Sequence, residues 1–273
     1  CNNVAEGCKH CVKGKKLVLF ISGKCSRNCW YCSLSNKRKN KDIMWANERE
    51  CKIGDVGAVI DEVRASNADS AGITGGDPFL FLDRTIMYAT ALKKEFGKKF
   101  HIHVYLPLTL VTSEKLEKLS KCIDEVRFHP NFLATGKEEM QNDAEKIKIA
   151  CKFWKKENMG IEMPCFPERK QEILDFIKLM SPYIGFANLN ELEISETNDS
   201  LINKNYNLNE DSYTIRGSKE AGIWILKECE KINLAVKVHF CSADTKNSYQ
   251  YQNRLKLHNI LPFGHKTKEG TVI

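Results

Sequence analysis

The sequence predicts an α/β protein: a partial (β/α)6 TIM-like barrel with one extra closing strand and a cysteine-rich N-terminal extension. Three observations carry that expectation. Short apolar runs alternate with longer helical patterns and short links, which argues for parallel strands joined by right-handed crossovers. Most of the short runs alternate apolar and polar residues, so each strand has one polar face. The length of 273 residues suits one large α/β barrel or two small domains.

Residues 1–14 hold Cys1, Cys8 and Cys11 together with Gly7 and Gly14, and read as a loop-like, cysteine-dense extension. Residues 16–22 (KLVLFIS) read as a buried strand ended by Gly23. A helix is expected over 55–65. Further strands are expected near 70–74, 100–106, 125–129, 159–164, 190–195 and 235–240. Helices are expected near 84–95, 112–121, 138–156, 168–181 and 217–231. The stretch 197–212, rich in Asn, Asp and Ser, reads as a loop insertion. The barrel is expected to span 15–245, followed by an irregular polar tail over 246–273 with a short helix at most. No internal repeat or low-complexity segment stands out.

The strand faces are informative. His101, His103 and Tyr105 oppose Ile102, Val104 and Leu106. Arg127 and His129 oppose Val126 and Phe128, and Glu162 opposes Ile161 and Met163. Glu191, Glu193 and Ser195 oppose Leu192 and Ile194; Lys237, His239 and Cys241 oppose Val236, Val238 and Phe240. A closed barrel fills its interior with branched apolar side chains. Here the apolar faces would meet the helices and the polar faces would line a wet, charged cavity. An antiparallel sheet with one solvated face alternates the same way, but the intervening helices count against it.

Hydrophobic content of 42% and charged content of 28% are those of an ordinary soluble globular protein. No apolar run approaches the ~20 residues that span a bilayer. No signal peptide is visible, and the chain opens at Cys1 rather than Met, which fits a start lying upstream. The net charge of +7 permits nucleic-acid binding without showing it. The densest basic run, Lys37-Arg38-Lys39-Asn40-Lys41, reads first as a solvated loop and second as a phosphate or acidic-partner contact. Twelve cysteines are many, and their spacing argues for metal in a cytoplasmic enzyme rather than for disulfides.

Cys25, Cys29 and Cys32 follow the first strand in C-x3-C-x2-C spacing. A closed zinc site wants four ligands. A cubane cluster held by three cysteines leaves its fourth iron open to a ligand. An aromatic, Tyr31, precedes the third cysteine, and in Ile73-Thr74-Gly75-Gly76-Asp77-Pro78 the last four residues follow the second strand. The two motifs, in this order and separation, resemble those of the radical S-adenosylmethionine (SAM) enzymes. The closest flavour is that of the activating enzymes of pyruvate formate-lyase and their archaeal-type relatives.

That resemblance implies a [4Fe–4S] cluster on Cys25, Cys29 and Cys32, with SAM on the open iron. It implies that Gly75, Gly76, Asp77 and Pro78 meet the methionine amine, with Asp77 where the family's GGEP motif has Glu, and that the Tyr31 backbone touches adenine. Polar residues of the middle strands, among them Glu162, Asn188, Asn190 and Glu193, would surround ribose, ammonium or substrate. The activity implied is reductive cleavage of SAM to a 5′-deoxyadenosyl radical. That radical abstracts hydrogen from an unidentified protein, RNA or small metabolite. The cluster is expected to be oxygen-sensitive. No nucleotide fingerprint of the G-x-G-x-x-G kind is present, so the electron is expected from a reductant such as flavodoxin or ferredoxin. No corrinoid-binding domain is evident.

Two other classes compete. A zinc- or iron–sulfur-binding nucleic-acid module without SAM chemistry would need basic and aromatic residues interleaved on one face, and no such concentration appears. An iron–sulfur electron carrier would need neither an open iron nor a cavity. Cys1, Cys8 and Cys11 could begin a second iron–sulfur or zinc site with Cys241 as the fourth ligand. Cys11 precedes the first strand and Cys241 ends the last, so these sit at opposite ends of the barrel unless the extension folds back. Cys241 could otherwise act in the cavity as a hydrogen-atom relay. Cys51, Cys122, Cys151, Cys165 and Cys229 read as packing residues. His103, Arg127 and His129 read equally as cavity lining or as satisfied polar structure.

Overall fold

A computed structural model describes residues 4–210 and 212–273. Cys1 therefore lies outside the described residues. The chain begins with helix α1 (Glu6–Val12) and strand β1 (Lys16–Phe20). A hairpin of β2 (Met44–Ala46) and β3 (Arg49–Cys51) follows, then α2 (Val56–Ala65) and β4 (Ser70–Thr74). Next come α3 (Leu82–Phe96), β5 (His101–Pro107), α4 (Ser113–Ser120), β6 (Glu125–His129), a short α5 (Phe132–Thr135) and α6 (Met140–Ile149). The chain ends with β7 (Met159–Cys165), α7 (Lys170–Met180), β8 (Phe186–Glu191), α8 (Asp199–Asn205), α9 (Ser218–Lys231), β9 (Lys237–Cys241) and α10 (Gln252–Leu257).

The sheet order is β3-β2-β1-β4-β5-β6-β7-β8-β9. From β1 through β4 to β9 every neighbouring pair is parallel. The hairpin adds two antiparallel strands on the free edge of β1. Asn47, in its turn with φ 52, takes the Val18 amide on Oδ1 at 2.9 Å and gives its Nδ2 to Glu62 at 2.8 Å. One side chain thus locks the hairpin to β1 and α2. An unpaired strand edge is a liability, and this hairpin covers it.

The apolar strand faces meet the helices as expected. Leu17, Leu19, Ile73, Ile102, Val104, Leu106, Val126, Phe128, Ile161 and Met163 are fully buried in one continuous core. Burying each such side chain stabilises the fold by about 1.5–3 kcal/mol. Local signals set the helix starts: Asp55 accepts the Ala58 amide at the head of α2, and Thr112 accepts that of Lys115 at the head of α4.

Several boundaries differ from the sequence reading. The sixth barrel strand is not 190–195 but Phe186–Glu191, so Glu191, Glu193 and Ser195 do not share a strand face. Asn is a poor strand former, and Asn188 and Asn190 disguised the true strand. The helix expected over 138–156 is α6, shorter, with single 3-10 turns before and after it. The chain folds under there, and the Trp154 indole donates to the Ile123 carbonyl at 3.0 Å. The N-terminal extension is helical rather than loop-like over Glu6–Val12. The polar tail contains a π-helical turn, Thr245–Tyr251, running into α10. It returns to the N-terminal end of the barrel, where Asn253 donates to the Val12 carbonyl at 2.9 Å and Asn67 to that of Leu257 at 2.7 Å.

Candidate active site

A cavity of about 450 Å³ opens at the C-terminal ends of the strands. Its rim carries Cys25, Cys29 and Cys32 from the loop after β1, and Gly75 and Gly76 from the turn after β4. Its wall and floor carry Tyr105, Arg127, His129, Glu162, Asn190 and Lys16. Polar strand faces therefore do line the interior.

The cysteine loop is held by its neighbours' backbone. The Gly76 amide donates to the Ser22 carbonyl at 2.8 Å and the Asp77 amide to that of Lys24 at 3.0 Å. A Cβ on Gly76 would meet the Lys24 oxygen at 2.1 Å and Cys25 Cβ at 3.0 Å. Gly75 has φ +141, and a Cβ there would meet the Ser22 oxygen at 2.4 Å. The glycines are thus required for the two loops to touch, and a ligand is not their sole reason. Asp77 is buried. It accepts Ser26 Oγ on Oδ2 and the Phe79 amide on Oδ1, so both oxygens are used inside the protein. Burial pushes its carboxyl above the usual range. Pro78 is buried and begins the 3-10 turn that leads into α3.

Sequence reasoning missed the residues that clamp the loop from the other side. Asn198 is fully buried and donates to the carbonyls of Tyr31 and Glu193, both at 3.1 Å. Thr197 Oγ1 donates to the Cys32 carbonyl at 2.9 Å. Both belong to the stretch expected to be a plain loop insertion. Tyr31 packs its ring against Phe166, and its hydroxyl lies 2.9 Å from His129 Nε2. Arg27 donates to the His129 carbonyl at 3.0 Å. The only sequence signal for Asn198 and Thr197 is their place among turn-forming residues.

The three thiols differ from a single-ion site. Among the described residues, one set of three candidate ligands has all its ligand atoms within 4.8 Å, and it lies elsewhere: His101, His103 and Glu125. Zinc–sulfur bonds of about 2.3 Å would bring thiolates closer than that. The wider spread of Cys25, Cys29 and Cys32 suits a polynuclear cluster. Burial pushes the Cys25 thiol up to about 11 and raises Cys29 as well, so deprotonation there accompanies metal binding.

Below the rim, Arg127 is buried between two carboxylates. Its Nε donates to Glu125 at 2.7 Å and its Nη1 to Glu162 at 2.9 Å. Glu162 also accepts Asn188 and Asn190, each at 3.1 Å. The β7–β8 register makes this arrangement, pairing Glu162 with Asn188 and Pro164 with Asn190. Burial works to raise the Glu162 pKa, but Arg127 and the two amides outweigh it and hold the group below the ordinary range. Burial and the nearby Arg27 depress His129 to about 3, so its ring is neutral. Glu193 stands beyond the end of β8 and pairs with Lys246 of the returning tail at 2.5 Å.

Of the expected auxiliary cysteines, Cys8, Cys11 and Cys241 lie within the described residues. Cys8 and Cys11 lie on α1 under the barrel, where Cys8 Sγ accepts Arg127 and Asn188, both at 3.4 Å. Cys241 ends β9, and its sulfur accepts Gln250 at 3.3 Å. The sulfurs of Cys8, Cys11 and Cys241 are not all within 4.8 Å of one another.

The family model for the Radical SAM superfamily matches residues 19–180, which include the cysteine loop and the Gly-Gly turn. A Methanocaldococcus jannaschii protein named a glycyl-radical enzyme activating enzyme is 37% identical over 281 residues. The match covers 100% of this chain and 73% of that protein.

Proposed function

This chain belongs to the radical SAM superfamily, and we propose that it activates a glycyl-radical enzyme by abstracting hydrogen from a backbone glycine of that partner. The family's cofactors are a [4Fe–4S] cluster and SAM. The donor set fits them: three thiols too widely spread for one ion share a rim with a Gly-Gly turn over a polar cavity. When bound, the pair supplies one-electron cleavage of SAM to methionine and a hydrogen-abstracting adenosyl group.

In this reading Cys25, Cys29 and Cys32 would hold the cluster. Gly75 and Gly76 set the distance between the two loops, and backbone groups of that turn face the cofactor. Asp77 acts through Ser26 rather than by touching the cofactor. Glu162, held ionised by Arg127, presents an anionic wall to ribose or ammonium with Asn190. Asn188 positions that carboxylate from the side. Tyr31, Phe166 and His129 close the wall against water. An external flavodoxin or ferredoxin supplies the electron, and the barrel over 15–245 carries the chemistry.

The observation that carries the reading is the shared rim, with Gly76 bonded to the Ser22 carbonyl across it. The substrate class rests on the relative's name. A nucleic-acid module is not favoured. Lys37 and Arg38 lie 4.4 and 4.6 Å from the Trp45 ring centroid, stacked on the protein's own surface. The test is anaerobic reconstitution, reduction with dithionite, and measurement of 5′-deoxyadenosine. A glycyl-radical enzyme of the same source is then added and the glycyl radical is followed by paramagnetic resonance. Failure to form 5′-deoxyadenosine with cluster and SAM bound would overturn the activity. Its formation without a glycyl radical would overturn the substrate.

A further inference from the structure

We propose that His101, His103 and Glu125 form a separate binding site for one divalent transition-metal ion at the N-terminal end of the barrel, beneath α1. The three ligand atoms all lie within 4.8 Å of one another. Two of them are otherwise unexplained. His101 Nε2 and His103 Nδ1 are buried and have no hydrogen-bond partner, and His103 is fully buried. A buried polar atom left unpartnered is destabilising, so two aimed at one carboxylate call for a cause.

The fold makes the site. His101 and His103 point to the same face of β5, because alternate strand residues do. The register of β5 and β6 sets Glu125 directly beside His103. His101 Nε2 stands 3.8 Å from Glu125 Oε2. Two of the three ligands have the outer partner that fixes a metal-binding side chain. His103 Nε2 lies 3.3 Å from the Tyr105 hydroxyl, which leaves Nδ1 free as the ligand atom. Arg127 spends its Nε and Nη2 on Glu125 Oε1, at 2.7 and 2.6 Å. Oε2 keeps only the Gly7 amide, at 3.2 Å.

Gly7 supplies the space. A Cβ there would stand 2.4 Å from His103 Nδ1 and 2.7 Å from Arg127 Nη2, so only glycine leaves the space beside Nδ1 open. Two imidazoles and one carboxylate suit Zn²⁺ or Fe²⁺ rather than Mg²⁺ or Ca²⁺, and leave a position for water. Bound there, the ion would tie β5 to β6 next to α1. The site shares no residue with the cysteine loop and stands whether or not the proposed substrate is right.

The test uses the full chain carrying Cys25→Ser, Cys29→Ser and Cys32→Ser, stripped of metal and titrated with Co²⁺. About one Co²⁺ per chain should bind, with the visible bands of nitrogen and oxygen ligation and no thiolate charge-transfer band. His101→Gln and Gly7→Ala should each weaken Co²⁺ binding roughly tenfold or more. Gly7→Ala removes no ligand, and circular dichroism checks that each variant is folded. No bound Co²⁺, a thiolate band, or unchanged affinity in both folded variants would overturn the site.

Discussion

Ser26 Oγ donates to Asp77 Oδ2 at 2.5 Å, which ties the cysteine loop to the turn after β4 through a buried carboxylate. Hydrogen bonds to charged groups contribute about 1.5–3 kcal/mol. Asp77→Ala should therefore loosen the loop, with roughly tenfold or greater loss of SAM affinity and lower iron retention after desalting. Asp77→Asn keeps an oxygen for one of the two donors and should retain most of both. Wild-type iron and SAM binding in Asp77→Ala would show that the loop needs no such tie.

Gly76 faces the cysteine loop at closer range. Any side chain there must displace the Lys24 carbonyl, 2.1 Å from the added Cβ. Gly76→Val should thus lower cluster content and SAM binding together. Iron analysis on the reconstituted variant checks this. A full cluster with only SAM binding lost would place the glycine's role at the ligand alone.

The parts of this molecule that were legible in the sequence obey short-range rules. The Cys25, Cys29 and Cys32 spacing and the Gly75-Gly76-Asp77-Pro78 turn are local patterns. The inward faces of β5, β6 and β7 follow from period-2 alternation. What was hidden depends on contacts distant in sequence. Asn198 is a polar residue in a polar stretch, and only the fold brings it to the Tyr31 carbonyl. The strand Phe186–Glu191 was masked because its inward residues are asparagines, chosen for Glu162 rather than for strand propensity. The hairpin at Met44–Ala46 and Arg49–Cys51 is too short for periodicity to register. Helix α1 is hidden in the sequence because two of its seven positions are cysteines, which suggest metal.

Asp143 gives a pH signature. Burial raises its carboxyl from 3.8 to about 6, although Oδ2 accepts the Asn131 and Phe132 amides at 2.7 and 2.8 Å. Oδ1 has no partner. Between those two values the folded state holds a proton that the unfolded chain has released. Stability from this group is present below the unfolded pKa and lost as pH rises through about 6. The loss is at most about 3 kcal/mol, since each pKa unit is worth about 1.4. Asp143→Asn should remove this component, so denaturation of wild type and variant compared at pH 4 and 7 should differ most at pH 7. Parallel pH profiles would refute it.

Arg127 should be the most costly single polar residue to lose. It is buried with Glu125 on one side and Glu162 on the other. Removing one partner of a buried ion pair typically costs about 3–5 kcal/mol, because the charge left behind is uncompensated. Arg127→Met leaves two such carboxylates, and should lower the denaturation midpoint accordingly. Adding Glu162→Gln removes one of them. The double variant Arg127→Met/Glu162→Gln should therefore lose less stability than the sum of the single changes, by about 1–3 kcal/mol. Glu162→Gln alone should keep the fold, since its one amide oxygen can still accept the Arg127 and Asn188 donors that share Oε2 and only Asn190 loses its acceptor, while weakening whatever cationic group the cavity receives. Urea titrations of the four proteins give the coupling. Strict additivity would mean that Arg127 is held by Glu125 alone, and that the carboxylate facing the cavity owes its charge to something else.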